Sequence, residues 1–111
     1  LFLFPSTSET QGLALLEAMA AGLPVVAVRS DAAQDLLGED RGGVLAPEDA
    51  DRYAAAVIAL WRAPEWRRRA AHAARERAAD YAPERCAAAL LACYQDLLRR
   101  GPRVAAAPEG P

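Results

Sequence analysis

The sequence contains no lysine and no asparagine, one histidine, two cysteines and only 6% aromatic residues. Each shortage excludes something. Structural zinc sites need four His or Cys ligands, so His72, Cys86 and Cys93 cannot supply one. A single histidine in an Ala/Arg-rich stretch is also no basis for a Ser-His-Asp arrangement, and His72 reads as solvated helix surface. Two cysteines are too few for a disulfide framework. Seven residues apart on one helix face, they read as reduced, packed thiols. All thirteen basic residues are arginine, a bias that a GC-rich genome produces as readily as function does. The net charge of −2 gives no global case for a nucleic-acid partner or an anionic membrane. No run approaches the ~20 apolar residues of a membrane span, and there is no signal-peptide pattern. The expected location is cytoplasmic.

What is present is apolar residues, 53% of 111. That suffices for one core, although many are alanines that bury little area each. The length fits one domain or part of one. The chain opens on Leu1-Phe2-Leu3-Phe4, which reads as a buried strand. A buried parallel strand needs neighbours on both edges, and this one is expected to find its partners in a larger protein of which the chain is the C-terminal part.

A polar loop follows as far as Glu9 or Gln11. A helix then runs to about Ala21, with Ser8 or Thr10 as its expected N-cap and Gly22 and Pro24 as its stop. Val25–Val28, short and almost entirely β-branched, reads as a second buried strand. Strand, helix and strand in under ~30 residues form a βαβ unit, hence a parallel sheet with a right-handed crossover. Gln34-Asp35-Leu36-Leu37 reads as a short helix. Gly42-Gly43 turns the chain into a third strand, Val44-Leu45-Ala46. Pro47-Glu48-Asp49 opens a helix to about Arg62, since proline and acids both suit a first turn. Pro64 opens the next helix, to about Asp80, and Pro83 the last. Trp61 and Trp66 are expected to pack the corner at Pro64. The stretch from Arg62 to Arg85 carries seven arginines against Glu65, Glu76, Asp80 and Glu84. It reads as a solvated face, with contact to anionic lipid as the minority reading. The last helix carries a stripe of Cys86, Leu90, Leu91, Tyr94, Leu97 and Leu98. Residues 101–111, rich in Pro, Gly and Ala, are expected to be a disordered tail.

The first helix carries the puzzle. It is apolar on every side except at Glu17, and an unpaired buried carboxylate costs several kcal/mol, on the order of 3–5. Either Glu17 is kept for a ligand or the helix is less buried than it looks. A strand that passes through a short loop into a helix start makes an anion site, because free N–H groups and the macrodipole point outward there. In a parallel sheet that loop lies at the carboxyl end of the strand, where ligands bind. Gly12 allows close approach to the backbone. Two carboxylates, Glu9 and Glu17, beside bare amides suit a ligand with a phosphate and several hydroxyls. Charge complementarity to the helix start for Glu9, and an Arg or Ser partner for Glu17, explain the same residues without a ligand.

The same residues carry a resemblance. Pro5-Ser6, Glu9, Gln11-Gly12-Leu13, Leu16-Glu17-Ala18-Met19-Ala20 and Gly22-Leu23-Pro24-Val25-Val26 resemble the signature of family 4 glycosyltransferases, retaining enzymes of the GT-B fold. Gly42-Gly43-Val44-Leu45-Ala46-Pro47 and the helices after it are similar as well, so that the likeness covers residues 1–100. It implies an α/β fold class: the C-terminal half of a Rossmann-like, nucleotide-sugar-binding domain, ending in helices. It implies that Glu9 contacts the transferred sugar as the catalytic glutamate. Thr10, Gln11, Gly12 and Leu13 line the donor, with the amides of the last three on its diphosphate, and Glu17 accepts from the ribose hydroxyls. It implies a UDP- or GDP-sugar donor, no cofactor and no metal ion. The acceptor, glycan or lipid, would be held by an N-terminal domain outside this chain, as would the basic pair that neutralises the diphosphate. Without them the 111 residues are expected to be inactive alone. Glu9-Thr10-Gln11-Gly12-Leu13 is similar to members that glucosylate diacylglycerol, which adds peripheral placement at the inner membrane face. Ser30-Asp31-Ala32-Ala33-Gln34-Asp35 departs from the family's Gly-rich turn and glutamate, with Asp35 as the stand-in. A non-catalytic relic of the domain and a sugar-nucleotide epimerase of the same fold are the alternatives.

Overall fold

The computed structural model describes residues 1–8, 12–38 and 41–101. Three expected donor contacts, Glu9, Thr10 and Gln11, and residues 102–111 of the expected disordered tail lie outside the described residues. Strands β1 (Phe2–Phe4), β2 (Val25–Val28) and β3 (Gly43–Ala46) alternate with helices α1 (Leu13–Ala20) and α2 (Asp31–Leu37). Helices α3 (Ala50–Trp61), α4 (Pro64–Ala79) and α5 (Pro83–Arg100) follow. The sheet order is β1-β2-β3 and both pairings are parallel, as the βαβ pattern requires. The chain divides into two compact units, 1–81 and 82–111.

In the first unit β2 is the central strand, and all four of its residues are buried, which explains its unbroken valine-rich run. Register places Phe2, Val25 and Gly43 in one row and Phe4, Ala27 and Leu45 in another. Val25 and Ala27 pack with Leu15 and Met19 of α1, Ala33, Leu36 and Leu37 of α2 and Ala74 of α4. Phe2, Phe4 and Leu45 pack against that core from its margin. Helix α4 reaches it because the residues at the contact are small. A Cβ built on Gly42 would stand 2.5 Å from the Cα of Ala74, so only glycine fits there.

Several boundaries differ from the sequence reading, each for a physical reason. Helix α1 is not capped by Ser8, which lies outside it. Its cap is Gly12, in the left-handed region at φ 65°, and no side chain caps the helix. Helix α2 starts three residues before Gln34. Ser30 is its N-cap, accepting from the Ala33 N–H at 3.3 Å, and two alanines favour the helix where the family's glycines would open the chain. Pro47 stays outside α3, whose cap is Asp49, accepting from the Arg52 N–H at 2.8 Å. Arg67 holds the α3–α4 corner by donating to the Leu60 and Trp61 carbonyls and lying over the Trp61 ring. Trp61 itself is 67% exposed and Trp66 is half-buried, so the Trp61 side of the corner is tied by a guanidinium more than packed.

Helix α5 forms the second unit. Leu90, Leu91, Tyr94, Leu97 and Leu98 are more than half exposed. Cys86 and Cys93 are exposed as well, which corrects the expectation of packed thiols. No helix among the described residues is long and apolar enough to cross a membrane.

Candidate functional site

Because the three strands are parallel, their carboxyl ends share one end of the sheet. Pro5–Ser8 leave β1 there, Arg29 and Ser30 leave β2, and Pro47–Asp49 leave β3. Helix α1 starts at this end. Gly12 is buried and its carbonyl accepts from the Leu16 N–H at 3.0 Å. A Cβ added at Gly12 would meet the Leu36 Cδ1 at 2.6 Å and the Ala32 Cβ at 3.9 Å. The face of α2 that carries Ala32 and Leu36 therefore packs beside the start of α1, which the sequence did not show. With no side-chain cap on α1, its leading N–H groups are left for water or a ligand.

The Glu17 side chain is exposed, not buried, so α1 is less buried than its sequence suggests and the carboxylate remains open to a ligand. Helix α1 buries only Leu15, Ala18 and Met19. Leu13, Glu17 and Ala20, spaced four and three residues, share the exposed face. Leu13 is 60% exposed. Among the described residues the Glu17 side chain has no hydrogen bond or ion pair. The Arg or Ser partner of the ligand-free explanation is thus not found there. Of the expected site residues, the structure brings Gly12, Leu13 and Glu17 onto one helix. Asp35 lies on the exposed side of α2. Its backbone carbonyl, accepting from Arg77 Nη2 at 2.8 Å, is what the fold uses.

Two further features at this end have no signal in the sequence. Tyr53 of α3 donates its hydroxyl to the Val26 carbonyl at 2.8 Å. Burial raises its pKa above the ordinary 10.0, and a hydrogen bond with the Phe4 backbone opposes the rise. Beside it a cavity of about 340 Å³ opens between Pro5, Val28, Glu48, Asp49, Ala50 and Tyr53. His72 sits on the α4 surface as expected, 3.4 Å from Glu76. Among the described residues no His/Cys/Asp/Glu group is arranged to hold a metal ion.

An uncapped helix start and an unpaired carboxylate about one turn further in are chemically matched to two parts of one ligand. The amides accept an anion such as a phosphate oxygen, and the carboxylate accepts from hydroxyls. Comparison with known proteins places residues 1–63 within the family described as "Glycosyl transferases group 1". A D-inositol 3-phosphate glycosyltransferase of Frankia alni is 39% identical over 95 residues, which is 85% of this chain and 23% of that protein. An O-antigen chain mannosyltransferase B of Escherichia coli is 31% identical over 94 residues, 85% of this chain and 24% of that protein. A sulfoquinovosyl transferase of Arabidopsis thaliana is 55% identical over 42 residues, 38% of this chain and 8% of that protein. The chain thus spans no more than about a quarter of the length of these relatives.

Proposed function

Since this chain belongs to the group 1 glycosyltransferases, we propose that it forms the nucleotide-sugar side of the active site in a longer, retaining enzyme. The observation that carries the reading is the pairing, on one exposed stretch of α1, of an uncapped start with an unpaired Glu17. The relatives' names give different sugars and acceptors, inositol phosphate, mannosyl and sulfoquinovosyl among them. The part they share with this chain is then best read as the part that handles what their donors have in common, the nucleoside diphosphate.

In this reading the amides at Gln11, Gly12 and Leu13 hold the diphosphate of a UDP- or GDP-sugar. Glu17 accepts from the ribose hydroxyls, and Glu9 from the hydroxyls of the transferred sugar. The acceptor hydroxyl attacks the anomeric carbon on the face the diphosphate leaves, so configuration is kept. The contribution of these residues is positioning and stabilisation of the charge on the departing diphosphate. Residues 1–100 act as part of the donor domain. The acceptor, glycan or lipid, is bound elsewhere in the full-length protein, which works on the cytoplasmic side, at the membrane surface when the acceptor is a lipid.

A hydrogen bond to a charged group is worth ~1.5–3 kcal/mol. Glu17→Ala in the full-length protein should therefore weaken UDP or GDP binding about ten- to a hundredfold by calorimetric titration. Glu9→Gln should lower turnover while leaving nucleotide affinity near that of the unmodified protein. Tight nucleotide binding that survives Glu17→Ala unchanged would refute the assignment. The 111 residues alone should transfer no sugar, and measurable turnover by them would refute the division of labour.

A further inference from the structure

The cavity at the carboxyl ends of β1 and β2 has a composition that selects its ligand. At about 340 Å³ it falls within the ~300–1,000 Å³ of small-molecule sites. Pro5, Val28, Ala50 and the ring of Tyr53 make its apolar walls. The Tyr53 hydroxyl is committed to the Val26 carbonyl at 2.8 Å, which fixes the ring in place. Asp49 is committed to the Arg52 N–H at 2.8 Å. Glu48 is exposed, and among the described residues its carboxylate has no partner.

This lining discriminates. Among the described residues no cation lines the cavity and two carboxylates do, which disfavours a phosphate or carboxylate ligand. A calcium ion takes 6–8 oxygen ligands, which one free carboxylate does not approach. An apolar wall with one unused carboxylate suits a ring that has a C–H face and a hydroxyl rim, since carboxylates are strong acceptors from hydroxyls. Pro5 also begins the loop that leads to the start of α1, so such a ring would lie at the same end of the sheet as the nucleotide.

We propose that this cavity is a subsite for a hydroxylated six-membered ring, with Glu48 accepting from its hydroxyls and the Tyr53 and Pro5 rings facing its C–H surface. The assignment rests on the glycosyltransferase reading above and adds Glu48 and Tyr53 to it as residues that select the ring. The ring has two sources, the sugar being transferred or the reacting ring of a cyclitol or sugar acceptor whose remaining contacts lie elsewhere in the full-length protein.

The test uses the full-length protein with Glu48→Gln, which removes the charge, and Ala50→Leu, which fills the cavity from its wall. Both variants should raise the KM of one ring-bearing substrate about tenfold, while affinity for UDP or GDP, which lack that ring, changes by less than twofold. A rise confined to the donor identifies the transferred sugar, and a rise confined to the acceptor identifies the acceptor ring. Unchanged KM values for both substrates, in variants whose circular dichroism matches the unmodified protein, overturn the subsite. Glu17→Ala run in parallel keeps the two readings apart, because it reports on the nucleotide and not on this cavity.

Discussion

Arg77 is the residue whose loss should be felt furthest from its own helix. Its Nε donates to the Leu36 carbonyl at 3.0 Å. Its Nη2 donates to the Asp35 carbonyl at 2.8 Å and to the Tyr81 hydroxyl at 2.7 Å. The guanidinium also lies 4.8 Å from the centroid of the Tyr81 ring. One side chain of α4 thereby closes the C-terminal end of α2, 41 residues away in sequence. Leu36 is buried, so its carbonyl, once abandoned, lacks easy access to water, and an unsatisfied buried group costs ~1–3 kcal/mol. Asp35 is exposed and its carbonyl can be rehydrated at little cost. A cation at a helix C-terminus adds ~0.3–1 kcal/mol. The ion pair with Asp80, at 3.5 Å and half open on the acid side, adds little. Arg77→Met, which keeps most of the stem, should therefore destabilise the fold by about 1–4 kcal/mol. Arg77→Lys should cost roughly half of that, since a point charge cannot serve two carbonyls at once. Urea denaturation followed by circular dichroism should show a lower midpoint with an unchanged slope. The Arg77 side chain is only 16% exposed, so 1 M salt should leave the difference largely intact. An Arg77→Met protein within about 0.5 kcal/mol of the unmodified one would refute the clamp.

Three further outcomes are expected. Gly42→Ala, whose new Cβ would stand 2.5–2.6 Å from Ala74 backbone atoms, should be worse than Gly12→Ala, whose nearest obstacle is the tip of Leu36; the order is read from thermal midpoints. Gly12→Ala should still lose about 1–2 kcal/mol to the left-handed backbone. Tyr53 binds its proton more tightly in the folded state, so its contribution to stability is complete below pH 10.0 and declines as pH rises through the raised folded value. Denaturation at pH 8 and pH 11 should show that decline, and Tyr53→Phe should remove that component. Asp49→Ala should cost ~1 kcal/mol by uncapping α3, whereas Asp49→Asn should cost much less in the same denaturation assay.

Elements with a strong period or a hard stop were legible in the sequence. The valine-rich β2, the helices opened by Pro64 and Pro83, and the turn at Gly22 stand where the residues alone place them. The parallel pairing followed from the short helix between two apolar runs. What could not be read was which of several polar residues caps a helix. The hydroxyls of Ser8 and Thr10 suit either as the cap of α1, whereas the structure caps it with Gly12 in the left-handed region, packed beside Leu36. Whether α1 is buried all round stays open in the sequence because alanine looks apolar in any environment, and Ala14 and Ala20 prove to lie on the open face. Arg77 looked like one more arginine on a solvated helix. Its partners are backbone carbonyls, which leave no mark in a sequence.

The alanines and glycines between α4 and the rest of its unit have an entropic consequence. A long side chain loses up to ~2 kcal/mol of rotamer freedom when buried, whereas Ala and Gly lose essentially none. Ala70 and Ala74, both buried in α4, and Gly42 beneath them therefore dock without any side chain having to choose a conformation. The area each contributes is small, but almost none of its benefit is cancelled by ordering. Tolerance at Gly42 should accordingly be one-sided: there is no side chain to trim, and an added methyl must displace the Ala74 backbone.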